Sequence, residues 1–250
     1  MAQADKAIER TGFGATMRRD RWWLELFPVI LVLGTFSVYA TWRAFENDFY
    51  SWGPYLSPFY SPLLKPSWWP FSPAILILGG PLGFRATCYY YRKAYYRAFF
   101  LDPPACAVGE SRGHNYRGEK AFPLILQNLH RYFLYLALIF LVILWYDALH
   151  AFWFDGRLGV GVGSLILLAN IVLLSLYTFS CHSLRHIVGG KVDCFSCVTF
   201  GNARHAAWRG ASFLNNRHGL FAWLSLFSVG LSDLYIRLVA SGTIQDLRLL

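Results

Sequence analysis

Residues 124–150 read LILQNLHRYFLYLALIFLVILWYDALH. After Arg131 no charge follows until Asp147, and the fifteen residues between are all apolar or aromatic. About 20 helical residues cross ~30 Å of hydrocarbon, so this stretch is long enough to span a bilayer. Four further stretches have the same character, which gives candidate helices over residues 22–44, 73–100, 124–150, 160–186 and 218–239. The sequence therefore predicts an all-α integral membrane bundle of five transmembrane helices, forming one anchor domain over residues 1–250.

Composition agrees with a lipid environment. Hydrophobic residues make up 56% of the chain and charged residues 15%, against about 25% charged in soluble domains. Mean hydropathy is +0.36. Aromatics reach 18%, which suits two interfacial belts. The net charge of +9 would raise the question of nucleic acid in a soluble protein. Here Lys and Arg sit between apolar runs, without the basic, aromatic-studded stripe that nucleic acid requires, so no nucleic-acid partner is expected.

The placement of charge sets the expected orientation. Five Lys and Arg lie in the N-terminal arm, seven around the second connection and five around the fourth, against four on the other side. The positive-inside rule then puts the N-terminus and these connections in the cytoplasm. The first 21 residues are polar with no apolar core, so no cleaved signal peptide is expected. No internal repeat is evident. The first outer connection, residues 45–73, is rich in Pro, Trp and Tyr and reads as an ordered interfacial loop.

The residues able to carry chemistry converge on the cytoplasmic helix ends. The second helix brings Arg85, Cys88, Tyr89, Arg92 and Lys93 there. The third brings Gln127, Asn128, His130 and Arg131, the fourth Cys181, His182, Arg185 and His186, and the fifth Arg217 and His218. Ionisable groups inside a span are costly and face the bundle interior, which marks each as a functional candidate. A helix-end His also suits capping a carbonyl, and a single Cys suits plain burial. His182 and His186 are spaced i, i+4 and share a face that could meet one metal. The run YYYRKAYYR (89–97) suits an interfacial anchor or the wall of a quinone pocket.

Five cysteines, Cys88, Cys106, Cys181, Cys194 and Cys197, are an odd number and all fall on the cytoplasmic side, where thiols stay reduced. Cys194 and Cys197 form a lone CxxC, for which free thiols are expected. Structural zinc would need two more ligands from Cys106, His114 or His205.

The segments RATCYYYRKAYYR (85–97), DPPACAV (102–108), QNLHRY (127–132), SCHSLRHIVGG (180–190), NNRHGLFAW (215–223) and VASGTIQDLR (239–248) resemble the membrane-anchor subunit of actinobacterial succinate dehydrogenase, respiratory complex II with a single five-helix anchor. That resemblance implies a multi-pass cell-membrane protein that docks an iron–sulfur subunit and a flavoprotein subunit on its cytoplasmic face. It implies electron flow from succinate to menaquinone or a related quinone, and leaves a higher oligomer of the complex open. Related anchors hold two haems through His on the first four helices. Here the first helix has no His, and Cys88 stands where a proximal ligand is expected. The resemblance implies instead a Rieske-type [2Fe–2S] cluster, which takes two thiolates and two imidazoles.

Cys88 and Cys181 are the candidate thiolates, with Cys106 in reserve, and His130, His182 and His218 compete for the imidazole positions. Arg85, Tyr89, Arg131 and His186 are the candidate quinone donors. A haem b anchor, with His130 and His182 or His218 as axial ligands, is one alternative. A membrane thiol or metal-handling protein is another.

Overall fold

The computed structural model describes residues 12–110, 120–122, 124–190 and 192–250. His114, a sequence candidate for zinc, lies outside the described residues. The fold is mostly helical. The helices are α1 (Leu26–Glu46), α2 (Pro73–Ala86), α3 (Tyr89–Tyr95), α4 (His130–His150), α5 (Val162–Phe179), α6 (His182–Gly189), α7 (Gly201–Asn215) and α8 (His218–Ala240). Two short hairpins, β1 (Ser51–Trp52) with β2 (Tyr55–Leu56) and β3 (Trp153–Phe154) with β4 (Arg157–Leu158), are both antiparallel.

Four helical stretches are long and apolar enough to cross a membrane: Trp22–Glu46, Leu124–His150, Val162–Phe179 and His218–Ala240. The expected continuous helix over 73–100 is divided. The 14-residue α2 rises about 21 Å at 1.5 Å per residue, too short alone for ~30 Å of hydrocarbon. It stops at Thr87–Cys88, restarts as α3 and ends in a π-helical turn, Tyr96–Phe100. The expected helix over 160–186 is divided in the same way, at Ser180–Cys181. A second difference is α7, in a segment read as loop.

α5 packs against both α4 and α8, and α2 packs on α4. The α2–α4 approach needs glycine. A Cβ on Gly83 would lie 2.2 Å from the Phe133 ring, and one on Gly80 2.9 Å from Phe140. Small residues that let helices close in are the expected glue where lipid removes the hydrophobic drive between helices. Phe84, Tyr91, Leu134, Tyr177 and Leu226 form one buried cluster, and Leu141, Leu167, Ile171 and Ile236 another. Outward-facing Leu31, Val38, Ile139 and Val142 are exposed, as a lipid-facing surface should be.

The far end of the bundle is closed by polar bonds. Asp233 of α8 and Arg43 of α1 are both fully buried. Arg43 Nε donates to Asp233 Oδ2 at 2.7 Å, and Ser57 of the outer loop donates to Oδ1. Tyr39 donates to the same carboxylate at 2.5 Å. Tyr55 donates to Asp246 at 2.8 Å and Tyr235 at 2.6 Å, which fastens the C-terminal tail. Burial pushes the Tyr55 hydroxyl up to about 12, so it stays a donor. The outer loop is thus ordered, as its composition predicts.

Cys194 and Cys197 are joined as a disulfide across the short turn Phe195–Cys197, whereas the sequence reading expects free thiols. The turn brings their Cα atoms to 5.3 Å, inside the range a disulfide spans.

Candidate functional site

The two helix breaks carry the same local chemistry. Residues 84–92 read FRATCYYYR and residues 177–185 read YTFSCHSLR. Each holds an aromatic, then a hydroxyl three residues on, then Cys, then Arg four residues beyond. Cys88 and Cys181 both take an extended conformation, with φ −64°, ψ 129° and φ −63°, ψ 135°, and each caps the helix that follows. Thr87 Oγ1 donates to Gly83 O at 2.6 Å and Ser180 Oγ to Tyr177 O at 2.9 Å. Such back-bonding of a hydroxyl to a carbonyl of the preceding turn bends the helix there.

Two histidines face these breaks. Each opens a helix, His130 starting α4 and His218 starting α8. His130 Nδ1 lies 2.9 Å from Thr87 Oγ1, and His218 Nδ1 lies 2.7 Å from Ser180 Oγ. Each hydroxyl has one proton, already given to a backbone carbonyl, so it accepts from the imidazole. Nδ1 therefore carries the ring proton and Nε2 keeps its lone pair. His130 Nε2 points at Cys181 Sγ, 3.2 Å away, and His218 Nε2 at Cys88 Sγ, 3.3 Å away. Phe84 stacks on His130 at 4.9 Å and Tyr177 on His218 at 5.2 Å. Both thiols are buried, at 2% and 1% exposure.

This donor set fits a thiolate- and imidazole-binding metal centre. Two imidazoles have their lone pairs held inward by hydroxyls on the opposite ring nitrogen, the arrangement that orients metal-ligating histidines. Two buried thiols await them. Among the described residues, no three His, Cys, Asp or Glu side chains close on one point as a single-ion cage. The four candidate ligands come as two crossed pairs. All four line one cavity of about 960 Å³, which also meets Arg92, Lys93, Arg97, Asn128 and His182.

The other sequence candidates fall elsewhere. His182 lines the cavity but is exposed, and the Cys–His contacts found among the described residues do not include it. Cys106 is exposed in the turn that pairs with residues 12–18, and its carbonyl accepts from Arg18.

The four proposed quinone donors are not brought together. Arg85 donates to Tyr91 and to Ser225, and its guanidinium lies 4.8 Å from the centre of the Tyr177 ring. Arg131 and His186 pair with each other at 2.7 Å in an exposed position. Tyr89 is exposed beneath the Arg92 guanidinium. Thr87, Ser180, Phe84 and Tyr177 carry the orientation of the site and were not singled out from sequence. Their signal is the repeated aromatic, hydroxyl, Cys, Arg spacing, hidden because only Cys and Arg are identical between copies.

Beside the site lies a second cavity of about 260 Å³, lined by Thr87, Tyr95, Tyr96, Phe100, Leu126 and Gln127 among others. Gln127 borders both cavities. Its buried Oε1 has no partner, while its Nε2 donates to Tyr95 at 3.5 Å.

Residues 24–242 match the family described as actinobacterial succinate dehydrogenase subunit SdhC. A chain of the Mycobacterium smegmatis Sdh1 complex in the apo form is 45% identical, with a TM-score of 0.85 and 94% of each chain covered. No curated protein matches.

Proposed function

The chain belongs to the actinobacterial succinate dehydrogenase subunit SdhC family, and on that premise we propose that it carries electrons from the soluble subunits through a [2Fe–2S] cluster to a quinone. As the membrane anchor of an oxidoreductase it is not itself catalytic towards succinate. The observation that carries the proposal is the crossed pairing of Cys88 with His218 and Cys181 with His130, each imidazole preset with its lone pair inward. Bound by these four residues, such a cluster would supply one-electron transfer, and imidazole ligation would raise its potential above that of an all-thiolate centre. The residues contribute burial, orientation and exclusion of water. Haem b fits less well, because each imidazole Nε2 that would serve as axial ligand already faces a buried thiol.

The iron–sulfur and flavoprotein subunits, by similarity to the Sdh1 complex, would dock over the large cavity. Arg92, Lys93 and Arg97 line it and would meet an acidic partner surface. The positive-inside rule supports a cytoplasmic N-terminus and docking face. A fifth crossing would be made by α2 together with its continuation through α3. The quinone ring would sit in the adjoining aromatic cavity, where Gln127 Oε1 is free to accept from the reduced hydroxyl.

The test is the assembled complex carrying Cys181→Ser or His130→Ala. Each variant should lose quinone reduction and the cluster's EPR signal, while an artificial dye still accepts electrons from succinate. Retention of both signal and quinone reduction in either variant contradicts the assignment.

A further inference from the structure

We propose that Cys194 and Cys197 form a thiol–disulfide exchange site, through which a cytoplasmic protein dithiol opens and closes a clasp on the helix pair α6–α7. The site is separate from the Cys–His cavity, and neither cysteine lines either cavity. The proposal rests on the cytoplasmic placement of this face argued above and needs no cluster.

Three observations carry it. The first is access. Both bridged cysteines are exposed, whereas Cys88 and Cys181 are buried. Their bridge joins residues only three apart, so it constrains little of the unfolded chain and is a poor staple. An exposed bridge on a face where thiols stay reduced is of the kind that opens and closes in use.

The second is polarity. Ser196 Oγ lies 3.2 Å from Cys194 Sγ. A bridged sulfur has no proton, so the hydroxyl donates to it. A donor on that sulfur stabilises the thiolate that leaves there, and exchange is faster from the better leaving group. An incoming thiolate therefore attacks Cys197.

The third is transmission. Phe195, inside the bridged turn, lies 5.0 Å from the His205 ring and 6.0 Å from the Trp208 ring of α7. Trp208 seats on Gly189 of α6, where a Cβ would lie 2.3 Å from its ring, and beneath the Arg185 guanidinium at 5.3 Å. Arg204 of α7 donates to Val188 O at 3.1 Å. The bridge thus holds the aromatic wedge on which α7 meets α6.

In opening, one thiolate of the dithiol bonds to Cys197 Sγ, the Cys194–Cys197 bond breaks, and Cys194 leaves as thiolate and takes up a proton. The second thiolate of the dithiol then attacks its own partner's sulfur in the mixed disulfide, and Cys197 leaves and is protonated. The clasp gains two electrons and two protons, and the dithiol becomes a disulfide. The reverse exchange closes it. Opening releases Phe195 and loosens α7 from α6.

The assembled complex tests this with dithiothreitol as the dithiol and iodoacetamide as the quench. The tryptic peptide 192–204, VDCFSCVTFGNAR, should gain two carbamidomethyl groups only after dithiothreitol. A short glutathione pulse should leave glutathione on Cys197 and the carbamidomethyl group on Cys194. Amide hydrogen exchange in α7 should quicken after dithiothreitol, and be equally fast without it in Cys194→Ser/Cys197→Ser. A peptide that gains no label after dithiothreitol overturns the exchange site. Glutathione on Cys194 overturns the polarity, and unchanged exchange in both the reduced and the variant complex overturns the clasp. None of these readouts involves iron, so failure of the cluster reading leaves them standing. Reaction of Cys197 in the Cys194→Ser variant with a membrane-impermeant maleimide on intact cells places the site outside and overturns its cytoplasmic partner.

Discussion

Thr87 and Ser180 each spend a proton on a carbonyl and a lone pair on a histidine. Loss of such an outer hydrogen bond commonly lowers metal affinity by about 10–100-fold. Thr87→Val and Ser180→Ala should therefore each lose iron to a chelator at lower concentration than the wild type, with the double variant most sensitive. Equal iron retention in all four proteins would show that the hydroxyls do not orient the ligands. Gln127 gives a separate prediction. If its unpartnered Oε1 serves the quinone, Gln127→Leu removes one hydrogen bond worth about 1.4 kcal/mol, or about tenfold in affinity. The KM for quinone should rise accordingly while the cluster spectrum stays as in the wild type. An unchanged KM places the ring elsewhere. Cys88, Cys181, His130 and His218 are legible in the sequence, because ionisable and thiol residues stand out in apolar helices. Their hydroxyl and aromatic supports are not, because Thr, Ser, Phe and Tyr are ordinary in such helices.

At the scale of elements, the helix breaks decide the site, and sequence periodicity cannot show them. Residues 73–100 and 160–186 keep helical composition through Thr87–Cys88 and Ser180–Cys181, with neither Pro nor Gly at the interruption. The break follows from tertiary bonds: a hydroxyl on the preceding turn, a histidine on a facing helix. α7 is hidden for a related reason. It is polar, and its anchoring contact is Trp208, stacked on His205 and covered by Arg185 at 5.3 Å. Asp233 of the Arg43–Asp233 pair lies fifteen residues along α8 from His218, about 22 Å from the proposed metal site. Asp233 inside an apolar run is a readable signal, though its partner is set only by packing. Removing one member of a buried pair costs about 3–5 kcal/mol, and replacing both by apolar groups can be neutral. Arg43→Met and Asp233→Leu should each lower the thermal midpoint in detergent, and the double variant should lie above either single one. A double variant below both would mean that the pair does more than cancel its own charge.

For the whole molecule, the apolar stretches and alternating charge point directly to a membrane bundle, and the family membership agrees. Lys and Arg placement predicts a cytoplasmic N-terminus, and labelling tests it. Ser67, exposed in the outer loop, should as Ser67→Cys react with a membrane-impermeant maleimide on intact cells, whereas native Cys106 should react only after permeabilisation. The reverse pattern would invert the topology and move the metal site to the outer face, away from any cytoplasmic partner.

The central claim is that four residues from two broken helices and two helix starts hold a two-iron centre. Iron counting tests it most directly. Complexes purified with their soluble subunits from the wild type and from Cys88→Ser/Cys181→Ser should differ by about two iron atoms per anchor, with flavin content the same in both. Equal iron in the two preparations would contradict the account.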